Sequence, residues 1–522
     1  MAVYAKNAGF YFVVRMICIT FANQNNGRQM DRFILILMFL AFAAAGGART
    51  TEVLRKAKYP EGKTYMYRVT LTDKNGTPFG IDKPQAFLSA KAIARRRRQH
   101  VAVDSTDLPV NPVYLDVIRS LGVGVVSCSK WNNTVLVRGH DVSVLESVGG
   151  LSFVREIRKV WTSPDSISTA SSRLRYHTEF NRWDTIPHHR YGAAHEQVEM
   201  LGCIRMHSHG FRGRGVTIAV LDGGFMNADL IPCLAAANVL GCRDFVVPAS
   251  KNVFAEMEHG TKVLSVMAAD VPYTFVGTAP DASYWLLRSE DSYTESLAEE
   301  DYWAAAAEFA DSVGADIISS SLGFHAFDNS ADNYKYADLD GHTALISRTA
   351  SMLAGKGIVL VNSAGNDGMA AWKKINVPAD AAGIITVGAV TPDGRNASFS
   401  SIGPTADNRV KPDVMAMGSP AAVITGRGTI IKDVGTSFSA PLVAGMVACL
   451  WQALPDKTAK EIINLVIGSG DNRDTPDNIY GYGVPDFWRA YMEGLGCKTA
   501  AADSVSSKAV AAKEPDAAVL MP

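Results

Sequence analysis

Between residues 191 and 495 the chain alternates two kinds of apolar segment. GVTIAVLD (215–222), SYWLLRS (283–289), ADIISSSLG (315–323), GIVLVNSAGN (357–366) and GIITVGAVT (383–391) are short and rich in β-branched residues. Most of them end in Gly, Asp, Ser or Asn. Helix-like stretches lie between and after them: HGTKVLSVMAAD (259–270), ESLAEEDYWAAAAEFADSVG (295–314), HTALISRTASMLAGKG (342–357) and SFSAPLVAGMVACLWQAL (437–454). Continuous apolar strands alternating with helices predict a parallel sheet covered on both faces. In such sheets functional groups gather at the carboxyl ends of the strands.

The earlier part of the chain has a different pattern. YMYRVTLTD (65–73) alternates as a strand does, 87–100 and 111–122 are helical, and 123–139 reads as two strands around a turn. VSVLESVGG (142–150) predicts a short helix. Together these make a small α+β unit over 50–160. Its run Arg95–Arg98 reads as a solvated helix face. Residues 161–190 are rich in Ser, Thr, Arg and Asp without an apolar period, the mark of an exposed linker open to processing. The strand–helix alternation occupies 191–497, and the Ala-, Ser- and Lys-rich tail 498–522 reads as disordered.

Near the amino terminus, MDRFILILMFLAFAAAGGA begins at Met30. A short basic start, an apolar core and small residues at its end predict a signal peptide over 30–45, with 1–29 as a mis-annotated extension and Met30 as the start. Export to the periplasm, the cell surface or the medium follows. That compartment permits disulfides, but Cys203, Cys233, Cys242, Cys449 and Cys497 are odd in number and their pairing stays open. The chain has 522 residues, 47% of them hydrophobic, and is too long for one typical domain. A formal net charge of −1 gives no support for a nucleic-acid partner. No HExxH or CxxC spacing occurs.

Chemistry-bearing residues sit at the predicted strand ends and helix starts. Asp222 ends a buried strand, where a carboxylate is costly unless paired. His259 opens one helix, beside a glycine that permits close approach. Ser437 opens another, and a serine hydroxyl becomes a nucleophile only beside a base. A neutral imidazole can take its proton, and a carboxylate on the other ring nitrogen fixes the tautomer. Asn366 ends GIVLVNSAGN, where its amide can donate to an oxyanion together with the Ser437 N–H. Each residue alone has an ordinary reading as a cap or turn.

In chain order these segments read AVLDGG, HGTKV and GTSFSAP. They resemble the signature segments of the subtilisin-like serine proteases over residues 192–495. Ala364-Gly365-Asn366 matches the family's oxyanion asparagine, and Ser321-Leu322-Gly323 its substrate-lining segment. The resemblance implies an α/β, three-layer subtilisin-like fold with a mostly parallel central sheet. It implies a monomeric secreted endopeptidase acting on polypeptide substrates through Asp222, His259 and Ser437, with Asn366 at the oxyanion. No cofactor is required for that chemistry; structural calcium is implied without assignable ligands. Gly223 and Lys262 depart from the usual Thr and His, which bears on substrate preference. Residues 87–122 resemble the propeptide of secreted subtilases from Bacteroidetes-type bacteria. This implies that the chain's own α+β prodomain is an intramolecular inhibitor, removed on maturation.

Two rival readings remain. An α/β-hydrolase needs G-x-S-x-G, but Ser439 stands at the second glycine. A catalytically silent binding module on the same fold is the alternative of a different class.

Overall fold

The alternation in YMYRVTL becomes a strand, Tyr65–Leu71 (β1). Tyr67, Val69 and Leu71 join one apolar cluster, while Met66 joins another. Gly124–Ser129 (β2), Thr134–Gly139 (β3) and Val154–Thr162 (β4) complete a four-stranded antiparallel sheet in the order β2-β3-β1-β4. Helices Ala90–Arg98 (α1), Pro112–Ser120 (α2) and Val142–Ser147 (α3) belong to the same unit. The expected α+β organisation is present. The computed structural model describes residues 55–58, 62–169, 189–250 and 252–496. The expected signal segment, residues 170–188 of the expected linker and the tail from 498 lie outside them. The described part of that linker is structured: β4 runs on to Thr162, with Trp161 only 6% exposed, and Ser166–Thr169 is a strand.

The second half builds a seven-stranded parallel sheet. In chain order its strands are Thr217–Asp222 (β5), Asn238–Asp244 (β6), Ser283–Arg288 (β7), Ile317–Ser320 (β8), Val359–Ser363 (β9), Ile385–Val390 (β10) and Val414–Met417 (β11). They lie in the order β11-β10-β9-β8-β5-β7-β6. Within β5, Ile218 and Val220 enter one core and Ala219 and Leu221 the other. This two-sided burial explains the unbroken apolar run in the sequence. Helices His259–Ala268 (α4) and Thr436–Ala453 (α7) pack on the first face. Ala298–Val313 (α5) and Leu345–Met352 (α6) pack on the second.

The amino-terminal sheet lies against α5. Met66, Trp131, Leu136, Val160 and Trp161 share a buried cluster with Tyr302, Trp303 and Ala306. Each such side chain contributes about 1.5–3 kcal/mol on burial. Arg68 donates from Nε to both oxygens of Asp301, at 3.0 and 2.8 Å. Glu308 accepts from the backbone N–H groups of Lys130 and Trp131, at 2.7 and 3.0 Å.

Here the reading of Arg95–Arg98 as a solvated face needs correction. Arg97 and Arg98 are exposed, but Arg95 and Arg96 are each 1% exposed. Arg95 donates to Asp311 at 2.5 Å. Arg96 reaches Asp107 through two bonds of 2.8 and 2.9 Å and Asp311 through two of 3.0 and 2.9 Å. Lys130 adds a third cation at 3.2 Å from Asp311. Burial opposes ionisation of Asp311, but Lys130, Arg95 and Arg96 outweigh it and hold the carboxyl below its ordinary range. The motif looked exposed because Asp311, the carboxylate that Arg95 and Arg96 share, lies more than two hundred residues away in sequence.

Candidate active site

Three neighbouring strands, β5, β8 and β9, deliver Asp222, Ser321–Gly323 and Asn366 to one end of the sheet, and helices α4 and α7 carry His259 and Ser437. Asp222 is the last residue of β5 and is fully buried. Its Oδ1 accepts from the Gly223 N–H at 2.8 Å. His259 opens α4, and its Nδ1 lies 3.0 and 2.9 Å from the two Asp222 oxygens. An ionised carboxylate can only accept, so Nδ1 carries the proton and Nε2 is left as the base. Gly260 makes this approach feasible: a Cβ there would stand 2.3 Å from the Gly224 carbonyl oxygen and 2.9 Å from Asp222 Cβ.

Ser437 lies in the first turn of α7 and is 8% exposed. The N-cap of this helix is Gly435, which has no side chain to cap it. The Ser437 hydroxyl therefore does not serve as a cap. It donates to the Ser321 carbonyl at 3.4 Å, a long bond, while Ser321 Oγ donates back to the Ser437 carbonyl at 2.8 Å. The hydroxyl is thus not hydrogen-bonded to His259 in this conformer, although both residues line one cleft of about 320 Å³. Phe438, next along the helix, has its ring centroid 6.0 Å from that of His259. Such serine–base contacts commonly tighten only once substrate is bound.

Asn366 follows β9 and is held by the neck of α7. Its Oδ1 accepts from Thr436 N and Thr436 Oγ1, each at 2.9 Å. That fixes the amide, leaving the NH₂ end as the donor beside Ser437. Ser321, Leu322 and Gly323 line the same cleft. All seven residues singled out from the sequence thus lie together. Sequence reasoning missed Met257, Glu290, Asp367 and Asn376, which also line it. Glu290 could have been found, since it follows the strand SYWLLRS as Asp222 ends VTIAVLD. Among the described residues no group of three His, Cys, Asp or Glu side chains is arranged to hold a metal ion, so calcium gains no assigned ligands.

The charges set the behaviour of His259. Burial works against its protonation, but the Asp222 carboxylate, with help from Glu290, overrides it and raises the pKa to about 9. The imidazolium therefore persists to alkaline pH, and the basic form dominates only above that value. The kcat/KM for a peptide should rise with pH through an apparent pKa of about 9. Glu290→Gln removes one of the charges favouring the imidazolium, so the rising limb should move to lower pH. A pH–rate profile of both proteins checks this; an unmoved limb would show that Glu290 does not act on the imidazole.

Residues 213–483 match the model of the Subtilase family, about half of the chain. The chain belongs to the subtilase family of serine peptidases. In this subtilase, residues 66–174 also match the peptidase S8 propeptide domain of Bacteroidota. It is similar to Subtilisin NAT of Bacillus subtilis subsp. natto, 29% identical over 282 residues, which are 53% of this chain and 66% of that protein. Subtilisin DY of Bacillus licheniformis is 29% identical over 282 residues, covering 90% of its length. Mycosin-1 of Mycobacterium tuberculosis is 27% identical over 308 residues, 52% of this chain and 68% of Mycosin-1. The expectations of a subtilase with a Bacteroidota-type propeptide, a mostly parallel sheet and a small α+β amino-terminal unit are therefore met.

Proposed function

We propose that this subtilase is an exported serine endopeptidase in which Ser437 is the nucleophile, His259 the general base and acid, and Asp222 the group that orients and charges the imidazole. The observation that supports it best is the buried Asp222 carboxylate on His259 Nδ1, at 2.9–3.0 Å, facing a cleft shared with Ser437 and Asn366. Ser437 Oγ adds to the scissile carbonyl as its proton passes to His259 Nε2. The oxyanion is held by the Asn366 amide and by the Ser437 N–H, an orphan donor of the first helical turn. His259 then returns the proton to the leaving amine, and a water repeats the sequence on the acyl-enzyme. The peptide lies extended along Ser321-Leu322-Gly323. The prodomain on α5 serves as the intramolecular inhibitor, with cleavage between 161 and 190 releasing it, and residues 30–45 direct export.

One observation favours the second reading, a silent binding module: the Ser437 hydroxyl bonds to Ser321 instead of His259. A fluorophosphonate probe separates the two. The processed protein should take up one probe on Ser437, located by peptide mass spectrometry, and lose the uptake in Ser437→Ala. No uptake by the processed wild-type protein would defeat the peptidase reading.

A further inference from the structure

An extended peptide turns successive side chains to opposite sides. The cleft lining falls into two groups: Gly323 and Gly365 stand against Asn376, and Glu290 and Met257 stand together beside Gly223. With the residue whose carbonyl meets Ser437 turned to the first group, the residue before it turns to the second, Met257 and Glu290 beside His259. Glu290 is half-buried there and makes no hydrogen bond among the described residues. The cleft's other carboxylate, Asp367, already accepts from Asn376 Nδ2 at 2.8 Å. Arg288, two residues from Glu290, is committed elsewhere: it donates to the Gly223 carbonyl at 3.1 Å and to Asp244 at 3.0 Å. Among the described residues no Lys or Arg lines the cleft.

Gly223, one of the two sequence departures noted above, gives the carboxylate its room. A Cβ at that position would stand 2.7 Å from Glu290 Oε2 and 2.8 Å from the Met257 sulfur. A side chain there would displace both. Burial, and then the Asp222 charge, raise the Glu290 pKa to about 7, opposed by His259, so an incoming cation would relieve an unfavourable site.

We infer that Glu290 is a specificity-determining residue, selecting a Lys or Arg side chain on the substrate residue immediately before the one whose carbonyl is attacked. The inference rests on the peptidase reading above and goes beyond it by naming a substrate class.

The test uses the full chain, expressed and allowed to process, with fluorogenic peptides identical except at that position: Lys, Arg, norleucine or Glu. At pH 8.5 the kcat/KM for Lys should exceed that for norleucine at least about tenfold, and that for Glu by more. In Glu290→Gln the Lys/norleucine ratio should fall to about twofold or less, and in Asp367→Asn it should persist. Gly223→Ala, which pushes the carboxylate aside, gives a second reading and should also lower the ratio. A wild-type ratio near one, or a ratio unchanged in both Glu290→Gln and Gly223→Ala, overturns the inference. Fluorophosphonate uptake on Ser437 in the same preparations separates the two failures. Labelled wild-type protein without the preference defeats the specificity alone; unlabelled wild-type protein defeats the peptidase reading and the inference with it.

Discussion

Ser437→Ala should lower kcat on a peptide substrate by about 10⁶-fold, the magnitude known for removing the nucleophile of a serine-protease triad. What survives should be the roughly 10³-fold advantage over water that oxyanion donors and binding supply by themselves. The loss cannot come from unfolding, since the hydroxyl makes only the 3.4 Å bond to Ser321 and caps nothing. Thermal melting of the variant should therefore match that of an unprocessed wild-type chain within a few degrees. If the prodomain is cut by the enzyme's own site, the variant should also stay full-length on a denaturing gel. Undiminished hydrolysis would assign the nucleophile elsewhere.

The second large effect concerns stability. Arg96→Ala removes the guanidinium shared by Asp107 and Asp311, both fully buried. Breaking one partner out of a buried ionic cluster costs about 3–5 kcal/mol, because the remaining charges lose their compensation. That is a large share of the stability of an ordinary domain. The variant should accumulate poorly. In the Ser437→Ala background, which keeps the chain whole, its denaturation midpoint should fall steeply. Arg97→Ala, on the exposed side of the same helix, should shift stability by no more than about 0.5 kcal/mol. Equal effects from the two substitutions would show that the cluster does not hold the prodomain.

These cases mark how far the sequence carried. Asp222, His259, Ser437 and Asn366 were legible because each stands where a buried strand stops or an apolar helix begins. A parallel sheet gathers such points at one end whatever the loop lengths. The central strands were equally plain, being apolar on both faces. The edge strand Asn238–Asp244 was not, for it is largely exposed and interrupted by Gly241. Val154–Thr162 was not either, for charged pairs separated by single apolar residues replace strand alternation, and its pairing with Tyr65–Leu71 shifts register twice. Arg95 and Arg96 were misread since burial of a charge depends on a partner, and Asp311 lies far along the chain. Glu290 carries no signal beyond its place after a buried strand; the room that Gly223 leaves for it is visible only in the fold.

The contact on α5 divides its charges unevenly. Arg68, Arg95, Arg96 and Lys130 belong to the amino-terminal unit, whereas Glu300, Asp301, Glu308 and Asp311 belong to the helix beneath. Cutting the connecting chain would leave two fragments of largely opposite local sign, with one pairing reversed, Lys356 of the second half beside Asp104 and Asp107. Each would draw the other back across a Debye length, about 8 Å at physiological ionic strength. Freed prodomain would then linger as a competitor in dilute buffer and drift away in brine, so the salinity of the surroundings would govern how quickly a newly cut molecule becomes an active one.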